Sequence, residues 1–230
     1  MSCIPRISLI HATSLAIAPI GESFRHLWSN ATVRNLLDDS LTADLEAANG
    51  DISAMIPRFN ALTSYAISTG AHGILFTCSA FGPAIDAVRA KLSIPVLKPN
   101  EAMISEALAL GSRIALLATF EPALAPITDE FYELARTIGR NVELRPLFVK
   151  DAWAALQRGD AARHDQLVAA ACGSTLNCDV ICFAQFSMTS AAATARVTAG
   201  RPVLTTPDSA VMRLKTLMNH ADPPNRSLVP

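Results

Sequence analysis

Three separate segments of this chain recur at one fixed spacing, and that repetition limits the folds open to it more than any other feature. Arg6-Ile7-Ser8-Leu9-Ile10 is matched by Arg113-Ile114-Ala115-Leu116-Leu117, an offset of 107 residues. Ala16, Ala18-Pro19-Ile20, Phe24 and Leu27 return as Ala123, Ala125-Pro126-Ile127, Phe131 and Leu134, and Pro95-Val96-Leu97 returns as Pro202-Val203-Leu204, all at the same offset. An internal duplication accounts for one spacing held across three segments. The 230 residues are then two copies of one unit, each long enough for a core of its own.

Within each copy, short apolar runs alternate with segments of helical period. The first copy reads as strands over 7–10, 33–37, 73–76 and 95–97, with helices over 18–28, 55–69, 84–92 and 102–110. Gly70 and Gly111 are expected to end two of these helices. The second reads as strands over 113–118, 142–148, 180–183 and 202–204, with helices over 126–138, 161–172, 191–197 and 209–218. Strand–helix alternation of this kind predicts an α/β fold of two pseudo-symmetric parallel-sheet lobes. The expected division is a discontinuous first lobe of 1–98 plus 206–222, a second lobe of 99–205, and a flexible tail over 223–230.

Composition narrows the function classes. Half the residues are hydrophobic and 17% are charged, as in a compact globular protein. A net charge of −1 gives no electrostatic case for nucleic acid or an anionic membrane. No long apolar signal region or spanning segment is present, and five cysteines without a CxxC pair read as reduced thiols, so a cytoplasmic location is expected. Cys178 and Cys182 have no clustered histidines nearby, so no metal site is expected, and the absence of GxGxxG argues against a dinucleotide.

The chemistry gathers at Ile74-Leu75-Phe76-Thr77-Cys78-Ser79-Ala80-Phe81-Gly82-Pro83, an apolar strand running into a polar turn and then a helix. The carboxyl end of a parallel strand is where ligands bind in such sheets. Cys78 sits there between two hydroxyls, Thr77 and Ser79, and a helix starting near Pro83 is expected to depress its thiol pKa. The 107-residue offset carries Cys78 onto Gln185, in Val180-Ile181-Cys182-Phe183-Ala184-Gln185-Phe186-Ser187. A pseudo-two-fold relation is expected to bring both strand ends toward one shared crevice. Candidate ligand contacts on the same rim are Thr13, Ser14, Asp39, Ser40, Thr77, Ser79, Ala80, Thr119, Phe186 and Ser187, with a helix N-cap the alternative for Asp39 and Ser40. Phe81, Phe120 and Phe186 either line an apolar pocket or pack. His11 ends the first strand and is a candidate acid/base, whereas His26, His72, His164 and His220 read as packing or surface residues.

The segments Gly73-Ile74-Leu75-Phe76-Thr77-Cys78-Ser79-Ala80, Asn35 to Leu41, Ala115-Leu116-Leu117-Ala118-Thr119 and Ala184-Gln185-Phe186-Ser187-Met188 resemble those of the aspartate/glutamate/hydantoin racemase superfamily. That superfamily also includes maleate isomerases and arylmalonate decarboxylases. The resemblance spans almost the whole chain and implies two thiols on opposite faces of a carbon acid, with no cofactor. Its members are often dimers, so a homodimer or higher homo-oligomer is the inherited expectation.

Here the second thiol is replaced by Gln185, which cannot exchange a proton at neutral pH. Cys182, His11 or a water is then left to take that role, or the reaction is one that needs a single thiol. The expected activity is racemase- or isomerase-type chemistry at the α carbon of a small carboxylate, an amino acid or a derivative, with backbone N–H groups and the hydroxyls of Thr119 and Ser187 holding the carboxylate. A one-thiol decarboxylase or lyase and a non-enzymatic small-molecule binder are the alternatives.

Overall fold

The computed structural model describes residues 4–175 and 177–220, so the expected tail over 223–230 lies outside the described residues. The chain divides into two compact units. One holds the residues up to Ser14, Phe24–Lys98 and those from Val211 on; the other holds Leu15–Ser23 and Pro99–Ala210.

In the first unit, four short strands, β1 (Arg6–His11), β2 (Thr32–Leu37), β3 (Gly73–Phe76) and β4 (Val96–Leu97), form an all-parallel sheet in the order β2-β1-β3-β4. The connecting helices are α1 (Ile17–Leu27), which belongs to the other unit up to Ser23, α2 (Leu41–Ala47), α3 (Ile56–Ser68) and α4 (Gly82–Arg89). Apolar side chains of Ile10, Ile74, Phe76 and Val96 meet Phe59 of α3 and Phe81 on one sheet face. Phe59 lies 5.1 Å from both Phe76 and Phe81, ring centre to ring centre. On the other face Gly73 leaves room for Ile7 and Leu214, since a Cβ there would lie 3.2 Å from Ile7 Cδ1 and 3.5 Å from Leu214 Cδ2. Gly70 ends α3 in the left-handed conformation (φ 83°), which glycine adopts without steric cost.

The second unit repeats the plan. Its helices and strands run α5 (Glu101–Leu110), β5 (Arg113–Ala118), α6 (Leu124–Thr137), β6 (Glu143–Phe148), α7 (Ala152–Gln157), α8 (Ala161–Ser174), β7 (Val180–Phe183), α9 (Ala192–Ala199) and β8 (Val203–Thr205), and α10 (Thr206–His220) starts in this unit and belongs to the first from Val211 on. The parallel sheet order is β6-β5-β7-β8. Alternation along each strand sends Ala115, Leu117, Ile181, Phe183 and Val203 to one core and Ile114, Leu116, Val180, Cys182 and Leu204 to the other. Ile127, Phe131 and Ala135 recur every fourth residue and bury one stripe of α6 against the latter.

The duplication is visible in the register. Ile7 pairs with Gly73 and Ile114 with Val180, each shifted by 107. Only β2 and β6 break the spacing: Thr32 of β2 answers Glu143 of β6, a shift of 111, because α6 is longer than α1. Three of the four sheet edges are poor in pairing groups. β4 has two residues, β8 has three, and Pro146 stands within the edge strand β6 opposite Leu116.

The α/β architecture and all eight strands agree with the sequence reading. The short helices α2 and α7 were not expected, since seven and six residues are too few to show a period. Gly111 ends α5, but with an extended backbone, and the reason for glycine is contact: a Cβ there would lie 2.3 Å from Asp179 Cβ. Asp179 accepts hydrogen bonds from the Ser112 and Arg113 N–H groups and pairs with the Arg113 guanidinium, so it cannot easily retreat. Gly111→Ala is therefore expected to cost about 1–3 kcal/mol, as overpacking does, and to lower Tm by several degrees in a thermal melt.

Candidate functional site

Cys78 stands two residues past β3, after Thr77, in extended conformation (φ −124°, ψ 121°). Ser79–Phe81 makes a 3-10 turn, and α4 begins only at Gly82, with Pro83 in its first turn. The thiol is half-buried, while Ser79 and Ala80 are exposed. Burial pushes the Cys78 thiol above its ordinary range, and a hydrogen bond from the Ala80 backbone N–H only partly offsets this. The structure thus reverses the expectation of a depressed thiol, because desolvation of the thiolate outweighs one donor and the helix starts too late to help. At neutral pH Cys78 carries its proton.

His11, at the end of β1, is fully buried. Its Nε2 lies 2.9 Å from Asn35 Oδ1, which can only accept, so Nε2 carries the proton. Nδ1 then accepts from the Thr77 hydroxyl at 2.8 Å. A polar chain Asn35–His11–Thr77 therefore crosses three neighbouring strands next to Cys78. Burial lowers the His11 pKa, with the Asn35 bond acting the other way. In the second unit the residues answering His11 and Thr77 are Ala118 and Ala184, so this chain has no copy there.

The other first-unit candidates fall into distinct settings. Thr13, Ser14 and Asp39 are exposed. Ser40 is drawn into an ion-pair cluster, donating to Asp38 and Asp44, while Arg58 pairs with both carboxylates and binds the Ser40 hydroxyl. Ser40 stands at the N-cap of α2 without making the side-chain cap bond. Phe81 is core, 1% exposed.

In the second unit, Gln185 follows β7 as Cys78 follows β3, also extended (φ −138°, ψ 142°). Its Oε1 accepts from Thr119 N at 2.7 Å, Phe120 N at 3.0 Å and Thr119 Oγ1 at 3.1 Å. The side chain thereby clamps the turn after β5 to the end of β7. Thr119 is fully buried, whereas Phe186 and Ser187 are half-buried. Cys182 is sealed inside the sheet and its thiol is pushed far up by burial, which removes it as an acid/base. Cys172 is likewise core, pushed up to about 12.

Beside the clamp lies an open cleft of about 330 Å³, lined by Thr119, Phe120, Phe148, Lys150, Asp151 and Trp153 among others. The Phe120 and Trp153 rings are 5.6 Å apart, and Asp151 turns the chain with a left-handed backbone (φ 64°). Phe148, Lys150 and Trp153 were missed from sequence, although their place just after a strand end was a usable signal. Among the described residues no group of three or more His, Cys, Asp or Glu could hold a metal ion, and no helix is long and apolar enough to cross a membrane.

Two outcomes follow from the shifted groups. The unfolded chain binds a proton at His11 that the folded chain refuses, so stability should fall as pH drops below about 6.5. Urea midpoints at several pH values should show this slope, and His11→Gln should flatten it. Alkylation of Cys78 by iodoacetamide, followed on its peptide by mass spectrometry, should lag behind a free thiol at pH 8 and catch up only at higher pH.

A family profile described as Asp/Glu/hydantoin racemase matches residues 25–214. No curated protein matches the chain. Among solved structures, an aspartate racemase homologue from Pyrococcus horikoshii OT3 is similar with a TM-score of 0.69 at 14% identity, covering 93% of this chain and 99% of that one. Allantoin racemase from Klebsiella pneumoniae gives 0.64 at 20% identity, covering 94% and 88%. Unliganded arylmalonate decarboxylase gives 0.59 at 14% identity, covering 95% and 94%. At these identities the likeness of structure speaks for the fold, and the profile speaks for descent: the chain belongs to the Asp/Glu/hydantoin racemase family.

Proposed function

We propose that the protein is a cofactor-independent enzyme of racemase or isomerase type, acting at the α carbon of a small carboxylate with Cys78 as its one acid/base. The observation that carries this reading is the half-buried thiol at the carboxyl end of an inner parallel strand, with the Ala80 N–H directed to its sulfur. Thr77, held through His11, fixes the strand end on which the thiol sits. In the forward step the thiolate takes the α proton, the electron pair passes into an enediolate that N–H and O–H donors stabilise, and a water delivers a proton to the opposite face of that carbon while the thiol returns its own to solvent. Thr13, Ser14, Asp39, Ser79, Ala80, Thr119, Phe186 and Ser187 remain the candidate substrate contacts, with Ser40 holding the loop around Asp39.

A second reading is favoured by the protonated state of Cys78 and by Gln185. A thiol that holds its proton at neutral pH is suited to giving one. In a decarboxylase the bond from the α carbon to a carboxyl group breaks, CO2 leaves, and the electron pair stays on the enediolate. The Cys78 S–H then protonates that carbon, and the thiolate recovers a proton from water. A single thiol working on one face returns the proton with retention, so net racemisation needs a further donor that Gln185 does not supply.

Incubation of candidate carboxylates in D2O separates the readings. A racemase washes deuterium into recovered substrate with loss of optical purity, whereas a decarboxylase releases CO2 and leaves one deuterium in the product. In either case Cys78→Ala should reduce turnover by at least about 100-fold, the usual scale of acid–base catalysis. Turnover of a verified substrate that survives Cys78→Ala would sink the assignment.

A further inference from the structure

We propose that Gln185 is a fixed two-donor anchor for a carboxylate oxygen, converting the family's proton-transfer position into a binding position. The inference rests on the carboxylate reading above. Three donors converge on one terminal atom of Gln185, and two of them, the Thr119 and Phe120 backbone N–H groups, cannot accept. That atom is therefore the carbonyl oxygen, and the amide orientation is dictated by chemistry. Two backbone bonds and the Thr119 hydroxyl at 3.1 Å fill the lone pairs of this oxygen. Gln185 has no accepting capacity left.

Its Nε2 is in the opposite condition. It bears two N–H groups, and no hydrogen bond to it occurs among the described residues. The side chain is half-buried, so the donors are neither sealed in the core nor spread freely in solvent. The amide is locked at its far end to the buried Thr119, so ordering it costs nothing further when a ligand arrives. A locked NH2 selects groups that accept: a carboxylate oxygen, or the enediolate oxygen derived from it. It discriminates against ammonium and other donor groups at the same point, and a thiolate in its place would repel the same anion.

The test uses an isosteric change in the full-length protein. Gln185→Glu keeps an oxygen for Thr119 and Phe120 but replaces both donors with a second, negatively charged oxygen. Binding of a panel of two- to five-carbon mono- and dicarboxylates is measured by calorimetry on wild type, Gln185→Glu and Cys78→Ala, each with a thermal melt. The expected result is a wild-type Tm in Gln185→Glu with the best carboxylate bound about 10- to 150-fold more weakly, the range of a lost hydrogen bond to a charged group. Cys78→Ala should still bind, so a failure of Cys78 as acid/base is read separately from a failure of the anchor. In wild-type protein, the Gln185 side-chain amide signals should shift on titration with the same carboxylate in a nitrogen–proton spectrum, a reading independent of any variant. The proposal is overturned if no carboxylate in the panel binds wild type, if Gln185→Glu binds as wild type does, or if the Gln185 amide signals stay put at saturation.

Discussion

A parallel strand between helical layers has no wet face. Every residue of β3 and of β7 is buried, and the strands can meet that condition only by being short and apolar from end to end. Polar chemistry is thereby pushed off the strands and onto the residues that follow them. Cys78 and Gln185 each stand two residues past a strand and Thr119 one, with Asn35 and His11 in the last turns of the pleat before its end. These residues are placed by what each sheet refuses to hold.

The duplication supplies the same scaffold twice, but evolution has filled the two strand ends differently. The first unit runs a polar chain across three strands, from exposed Asn35 to buried His11 and Thr77, which fixes the backbone just before the thiol. The second unit has alanine at the matching places and instead ties two loops together through one amide oxygen. A buried imidazole or amide is tolerable only when its partners are all in place, so both devices make the strand ends stiff. One strand end carries a half-buried thiol and the other an amide whose oxygen is fully engaged.

Much of this was legible in the residues. The 107-residue offset announced two copies, and apolar runs of three to seven residues marked the strands. Cys78 and Gln185 followed from the same arithmetic. What escaped depends on side-chain direction or on partners distant in sequence. Phe81 reads as a rim residue by position, yet it turns inward onto Phe59. Thiol ionisation could not be judged from flanking hydroxyls, because burial and the start of α4 decide it. Nothing local to Gln185 says that its oxygen is claimed by residues 66 positions earlier. Asn35 and Arg58 acquire their roles in the same way, through neighbours that only the folded sheet brings near.

Pro146 has a consequence for how these sheets meet other chains. It lies in the outermost strand of its sheet and has no N–H to offer an incoming strand. At the opposite border β8 is three residues long, and in the other sheet β4 is two. Backbone templating, the route by which open sheets recruit a neighbour and grow into aggregates, is blunted at these borders. What these borders leave for recognition is side chains, where substitution can tune a contact one residue at a time.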